Sequence, residues 1–256
     1  MPREHPKDPG QDIDPAFCND SKGWAETNKS FALHWGSMIQ GILFDLGGTL
    51  VEGSDPTEII ESFLLEEGIT KTRQEIASAV YQAERSFSED DFVGSGFWRE
   101  WNVRVLTALG VVSDRERLAS KIDSQWFQRA KIRPYPEVTE VLRQLKMKGF
   151  RLGAVTNGMR TDIPYLVDGA GLGDLLEVRI SADAAGRRKP NPRIFLYGAR
   201  AMGLHPSSIV FVGDDPDLDY LPSQSVGMMP VLVNRKGTQT LVKNVISDLT
   251  GIWRFL

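Results

Sequence analysis

The chain has 256 residues, with 30 Lys or Arg against 34 Asp or Glu and a formal net charge of -4. It lacks the basic excess of a nucleic-acid binder, and at 41% hydrophobic residues it can build the core of one large domain or of a domain with an insertion. A single Cys (Cys18) and three His (His5, His34, His205) exclude an intrachain disulfide and a Cys-rich zinc site.

Residues 1–37 carry Pro2, Pro6, Pro9, Gly10 and Pro15 with scattered charge and no sustained hydrophobic period, and we expect a disordered N-terminal extension. The segment has no basic start followed by an apolar run, as a signal peptide would, and it is too acidic for a mitochondrial presequence. The expected location is therefore cytoplasmic. Met38, just before the first strand-like run, is a candidate start of translation. With this segment set aside, Cys18, His5 and His34 leave the fold, so its chemistry must come from carboxylates, hydroxyls, Lys and Arg.

Residues 39–45 (IQGILFD) read as a short buried strand running into a tight loop at Gly47–Gly48. Residues 55–131 hold no strand pattern but several helical ones. Ile59, Ile60, Phe63 and Leu64 form one face, and Ile76, Ala79, Val80 and Ala83 another. Phe97, Trp101, Val105 and Leu109 recur at four-residue spacing, and 114–130 forms a further helix. Between the second and third patterns, the Asp90–Asp91…Gly94–Ser95–Gly96 segment is a candidate mobile, substrate-facing loop. The nearby aromatics Phe87, Phe92, Phe97, Trp98 and Trp101 suit helix packing.

Val138, Val141, Leu142 and Leu145 then mark a helix over 137–148, with Gly149 as its cap. Strands follow at 150–156, 178–182, 208–214 and 229–234, alternating with helices, one of them at 191–202. Such alternation predicts an α/β fold: a Rossmann-like parallel sheet in a three-layer α/β/α core. The core spans 38–54 and 132–256, and an all-helical cap occupies 55–131. No apolar run approaches the ~20 residues of a membrane span.

Polar residues stand at the C-terminal ends of these strands: Asp45, Thr156 and Asp214–Asp215, with Lys189 in the segment after a fourth strand. That edge of an open parallel sheet is where ligands bind. One Asp at a strand end is ordinarily a turn residue. Carboxylate, hydroxyl and ammonium delivered together point to a site instead.

The segments ILFDLGGTLV (42–51), VTNG (155–158), GRRKPNPRIF (186–195) and VGDDPDLD (212–219) together resemble the haloacid dehalogenase-like hydrolase superfamily, in family order, from Met38 to about residue 234. The resemblance implies an enzyme of phosphatase type with a helical cap, hydrolysing a small phosphorylated metabolite. Asp45 would be the nucleophile that forms an aspartyl-phosphate. Lys189 would offset charge in the transition state. Thr156, Asn157 and Gly158 would bind the substrate's phosphoryl group. Mg²⁺ would be held by Asp45, the main-chain carbonyl of Gly47 and Asp214, with Asp215 or Asp219 in support. On the residues alone, Asp215 and Asp219 equally suit the start of a following helix. Neither a nucleic acid nor a membrane is expected as partner, and the chain would act as a monomer or dimer. His205 is expected at the surface without a role.

One position departs from the family pattern. Most phosphatases of the superfamily carry a second Asp two residues after the nucleophile, where this chain has Gly47. Three readings follow: a phosphatase with another acid or with good leaving groups, a hydrolase of C–halogen or C–P bonds, or a catalytically weak or inactive binding or regulatory protein. Asp214–Asp215 favours retained metal and so phosphoryl chemistry. Cleavage of a C–P bond would need a cap Lys, for which Lys71 and Lys121 stand in polar or helix-start contexts.

Overall fold

The computed structural model describes residues 38–87 and 93–256. The expectations for residues 1–37 and for Asp90, Asp91 and Phe92 lie outside the described residues. Six parallel strands form one sheet in the order β5-β4-β1-β6-β7-β8. They are β1 (Gly41–Phe44), β4 (Arg151–Val155), β5 (Val178–Ile180), β6 (Ile209–Gly213), β7 (Met229–Val233) and β8 (Val245–Ile246). Strand β1 lies between β4 and β6, with Phe44 paired to both Ala154 and Val212. This is the α/β fold expected from the alternation of elements.

Side-chain alternation explains the layers, because successive strand residues face opposite sides. Ile42, Phe44, Leu152, Ala154, Val210 and Val212 pack on one side against helix α5 (Val138–Met147), through its stripe of Val138, Val141, Leu142 and Leu145. Leu43, Val155, Val178 and Phe211 face the other side and meet helix α7 (Pro192–Ala201) through Ile194, Phe195 and Ala199. Gly149 takes φ 89°, a left-handed conformation that ends α5 where expected.

Between β1 and β4 lie four helices: α1 (Pro56–Glu66), α2 (Arg73–Arg85), α3 (Phe97–Ala108) and α4 (Arg115–Ala130). They share a core of their own that includes Ile60, Phe63, Ile76, Trp101, Leu106 and Ile122. Helix α2 opens on a capping box, in which Thr72 and Glu75 satisfy each other's backbone N–H groups. The chain enters and leaves this insertion through a two-stranded antiparallel ladder, β2 (Val51–Glu52) with β3 (Arg133–Pro134). Two-residue strands carry no readable period, so this ladder left no mark in the hydrophobic pattern.

Two connections expected as regular helices are irregular. After β4 the chain makes a 3-10 turn (Arg160–Asp162) and a π-helical turn (Pro164–Asp168). Pro164 at its start and the glycines at 169, 171 and 173 prevent a continuous helix there. After β6, a π turn (Pro216–Tyr220) runs into the short helix α8 (Leu221–Ser225), with Pro216 and Pro222 each near a start. Strand β5 ends at Ile180 because Ser181 already leads into the one-turn helix α6 (Ala182–Ala185). Strand β8 and the 3-10 segment Leu249–Phe255 extend the core beyond the last element read from the sequence.

Candidate active site

Parallel register carries the expected site residues to one edge. Phe44 is level with Ala154 and Val212, so Asp45 leaves β1 beside the ends of β4 and β6. Thr156 follows β4 and Asp214 follows β6. The Asp45 N–H still donates to the Val212 carbonyl at 2.8 Å, which ties the residue to the sheet.

Lys189 approaches from the loop before α7. Its Nζ lies 2.6 Å from Asp45 Oδ1 and 2.6 Å from Asp219 Oδ1, with only 4% of its side chain exposed. Asn157 fixes the backbone of that loop. Its Oδ1 accepts the Lys189 N–H at 2.6 Å, and its Nδ2 donates to the Lys189 carbonyl at 3.1 Å. Asn157, expected to touch substrate, thus spends its amide on holding Lys189. The hydroxyl of Thr156 accepts the Gly158 N–H at 3.0 Å and shapes the turn after β4.

Ligand oxygens of Asp45, Asp214 and Asp219 lie within 4.8 Å of one another. Two glycines make this possible. A side chain at Gly213 would collide with Asp219, and one at Gly48, whose φ is 79°, with Asp214. Asp219 is the more occupied of the three, because Oδ1 meets Lys189 and Oδ2 accepts the Asp215 N–H at 3.2 Å. Asp215 stands outside the cluster: its Oδ1 accepts the N–H groups of Asp217 and Leu218 and caps the turn. At Gly47 a Cβ would meet nothing within 4 Å among the described residues.

The electrostatics follow from burial. Burial raises the Asp45 carboxyl above its ordinary value, with Lys189 opposing and Asp214 adding to the rise. Burial likewise pushes Asp219 up to about 6, against the pull of Lys189. Asp214 is exposed as a residue, yet desolvation by the surrounding protein and then the charge of Asp219 carry it to about 6. Burial alone would lower Lys189, but Asp219 and Asp45 outweigh it and hold the ammonium above its usual range. Three carboxylates against one ammonium leave excess negative charge. An all-oxygen donor set with that excess fits a hard divalent cation such as Mg²⁺.

The helical insertion sits over this edge. Trp98 Nε1 of α3 donates to Asp162 Oδ2 at 2.7 Å, and the same oxygen accepts the Met159 N–H at 2.7 Å. Arg188, beside Lys189, pairs with Glu84 of α2 at 2.7 Å and lies over the Phe97 ring. Phe97 packs against Met159 and Ala182, and Phe127 stacks on Tyr165 at 4.3 Å. The insertion thus covers Arg188. Lys71 and Lys121, the insertion lysines considered for Schiff-base chemistry, pair with Glu75 and with Glu66 and Glu67. His205 is exposed, and its Nδ1 accepts the Ser207 N–H.

Sequence reading passed over Asp162 and Arg235. No motif marks Asp162. Arg235 follows β7 at the same sheet edge, so the strand-end rule that selected Asp45 would have selected it too.

A parallel sheet with an Asp–Lys pair and clustered carboxylates at its C-terminal edge, under a helical insertion, defines a hydrolase fold of known kind. The family model for haloacid dehalogenase-like hydrolases matches residues 39–227, and the chain belongs to that family of enzymes. A glyceraldehyde 3-phosphate phosphatase of Methanothermobacter thermautotrophicus is 28% identical over 206 residues, which cover 79% of this chain and 88% of that protein. Haloacetate dehalogenase H-2 of Moraxella sp. is 34% identical over 107 residues, which cover 42% of this chain and 47% of the dehalogenase. Among solved structures, a phosphatase of the same superfamily from Thermococcus onnurineus superposes with a TM-score of 0.60 at 24% identity, covering 84% of this chain and 97% of that one. Among the described residues, no helix is long and apolar enough to cross a membrane.

Proposed function

We propose that the chain is a Mg²⁺-dependent phosphohydrolase of small phosphorylated metabolites, with Asp45 as the nucleophile. The observation that carries this reading is the third carboxylate. Asp214 stands beside the Asp45–Lys189 pair and gives the site a negative excess that a divalent cation would balance. Phosphoryl transfer uses such a cation, and displacement of halide by a carboxylate does not. The match to a glyceraldehyde 3-phosphate phosphatase over 79% of this chain supports the same choice.

Asp45, Asp214 and the Gly47 carbonyl would hold the ion, with Asp219 alongside, and when bound it supplies charge neutralisation for the phosphoryl oxygens. Asp45 attacks phosphorus, the P–O bond to the alcohol breaks, and an aspartyl-phosphate forms. Lys189 neutralises charge growing on the oxygens about Asp45, from a position its two carboxylate partners have already fixed. The Thr156 hydroxyl and the Asn157 main-chain N–H hold the phosphoryl oxygens, while the Gly158 N–H shapes the turn by donating to Thr156. Water then attacks phosphorus, releasing inorganic phosphate and restoring the Asp45 carboxylate. Gly47 supplies no acid for the departing alkoxide, so a water carries that proton, and esters with good leaving groups turn over best.

A panel of phosphate esters assayed with Mg²⁺, alongside chloroacetate, tests the proposal. Ester hydrolysis that disappears in Asp45→Asn supports it. Halide release without phosphate release overturns it in favour of the C–halogen reading. Hydrolysis that persists undiminished in Asp45→Asn removes the assigned nucleophile.

A further inference from the structure

Arg235 has no part in the reaction outlined above, yet it is tied to the loop that carries the nucleophile. Its Nε donates to the Gly48 carbonyl at 3.2 Å and its Nη2 to the Thr49 carbonyl at 2.7 Å. The guanidinium lies 3.5 Å over the Tyr135 ring and is paired with Glu137 at 2.8 Å. Glu137 is itself anchored, since its Oε1 also accepts the Leu249 N–H.

The place of these contacts gives them meaning. Gly48 is the residue against which Asp214 packs. Thr49 is fully buried, and its hydroxyl has no hydrogen-bond partner among the described residues, so its side chain does not hold the loop by hydrogen bonding. Loop 46–50 leads into β2, and Tyr135 directly follows β3. The Tyr135 N–H donates to the Leu50 carbonyl at 3.1 Å. One planar cation therefore clamps the nucleophile loop where the β2–β3 ladder that joins the insertion meets the core. A guanidinium suits this place because it offers a rigid fork to two carbonyls and a flat face to the ring, neither of which an ammonium provides.

We propose that Arg235 is a positioning residue, which sets the placement of Asp45 relative to Asp214 and ties the nucleophile loop to the β2–β3 ladder that joins the helical insertion. The catalytic part of this inference rests on the phosphohydrolase reading; the loop-holding part does not. Three variants separate these parts: Arg235→Met, Arg235→Lys and Arg235→Gly.

Amide exchange tests the loop without metal or turnover. In Arg235→Met the amides of Gly48, Leu50, Val51 and Tyr135 should exchange at least about tenfold faster, while those of β6 stay near wild type. Uniform protection across both sets overturns the proposal, and a uniform loss reduces Arg235 to a general stabiliser.

Turnover of p-nitrophenyl phosphate with Mg²⁺ tests catalysis. Arg235→Met and Arg235→Lys should each lower kcat by about 10–100-fold with little change in KM, the signature of a misplaced nucleophile. Methylguanidinium should restore part of the kcat of Arg235→Gly. A wild-type kcat in folded Arg235→Lys overturns the proposal. If wild-type protein hydrolyses no ester while the exchange pattern holds, the phosphohydrolase reading fails and the loop-holding role of Arg235 stands.

Discussion

Lys189→Met is the most informative perturbation, because it removes the one cation from a cluster of three carboxylates. In the native protein that ammonium lies 2.6 Å from both Asp45 and Asp219, and both side chains are at least nine-tenths buried. Breaking a buried pair by deleting one partner costs about 3–5 kcal/mol when the other charge stays ionised. The stranded carboxylates have an escape, however, which is to take up a proton.

Burial already raises Asp45 and Asp219 above the 3.8 of an ordinary Asp, and Lys189 is the group that restrains both. An acid with a raised folded value binds protons more tightly in the folded state than in the unfolded one. Its stability contribution is full below about 4 and is lost as pH rises through the folded value. In wild type Asp219 loses that contribution as pH rises through its value of about 6. Without Lys189 the loss continues to higher pH. Each additional bound proton costs about 1.4 kcal/mol per pH unit, so the deficit of Lys189→Met should grow by up to about 3 kcal/mol over two units above pH 6.

Urea unfolding of both metal-free proteins near pH 5, 6 and 8 measures this. A deficit that is small near pH 5 and widens toward pH 8 is expected. One that stays flat with pH would show that the two carboxylates do not depend on Lys189 for their ionisation, and the electrostatic account of the site would be wrong.

Three further outcomes are expected. The proposed Mg²⁺ would need Asp214 and Asp219 ionised, and both lie at about 6, so stabilisation by Mg²⁺ in urea unfolding should be slight near pH 5 and reach about 2.7 kcal/mol near pH 7.5 at a hundredfold excess over Kd; an equal stabilisation at both pH values would place the ion elsewhere. Gly47→Asp should fold normally, because a Cβ there meets nothing within 4 Å, and should raise kcat toward slow-leaving esters by about 10²–10⁴-fold; unchanged kcat in a folded variant would mean that the proton comes from another group. Trp98→Phe keeps the ring but strands part of the buried Asp162 carboxylate, at a cost of about 1–3 kcal/mol in urea unfolding. That cost should shrink at low pH, because burial raises Asp162 and protonation relieves it; no cost at any pH would remove this bond from the contacts that seat the helical insertion.

The α/β fold, and the polar residues that line the C-terminal edge of its sheet, are readable from local sequence patterns. Short apolar runs alternating with amphipathic helices specify a parallel sheet, because each pattern is local and each strand must bury both faces. Asp45, Thr156, Lys189 and Asp214 were legible for the same reason: a strand end is a local feature, and parallel strands carry all such ends to one edge. The roles of the supporting residues were not legible, because they depend on contacts between segments far apart in the chain. Whether Asp215 or Asp219 faces Lys189 depends on the turn after β6, which lets the Asp219 side chain come back over Gly213 and leaves Asp215 to cap the turn. Asn157 reads as a substrate-facing amide until the Lys189 loop lies against it, and nothing in the sequence pairs Arg235 with Tyr135 and the Gly48–Thr49 carbonyls. Hydrophobic period and turn chemistry act over a few residues, whereas the partner of a buried polar group is settled only when distant loops pack together. For that reason the residues gathered at the C-terminal edge of the sheet were legible in the chain, whereas their contacts with Asn157, Asp219 and Arg235 arise only when distant loops pack.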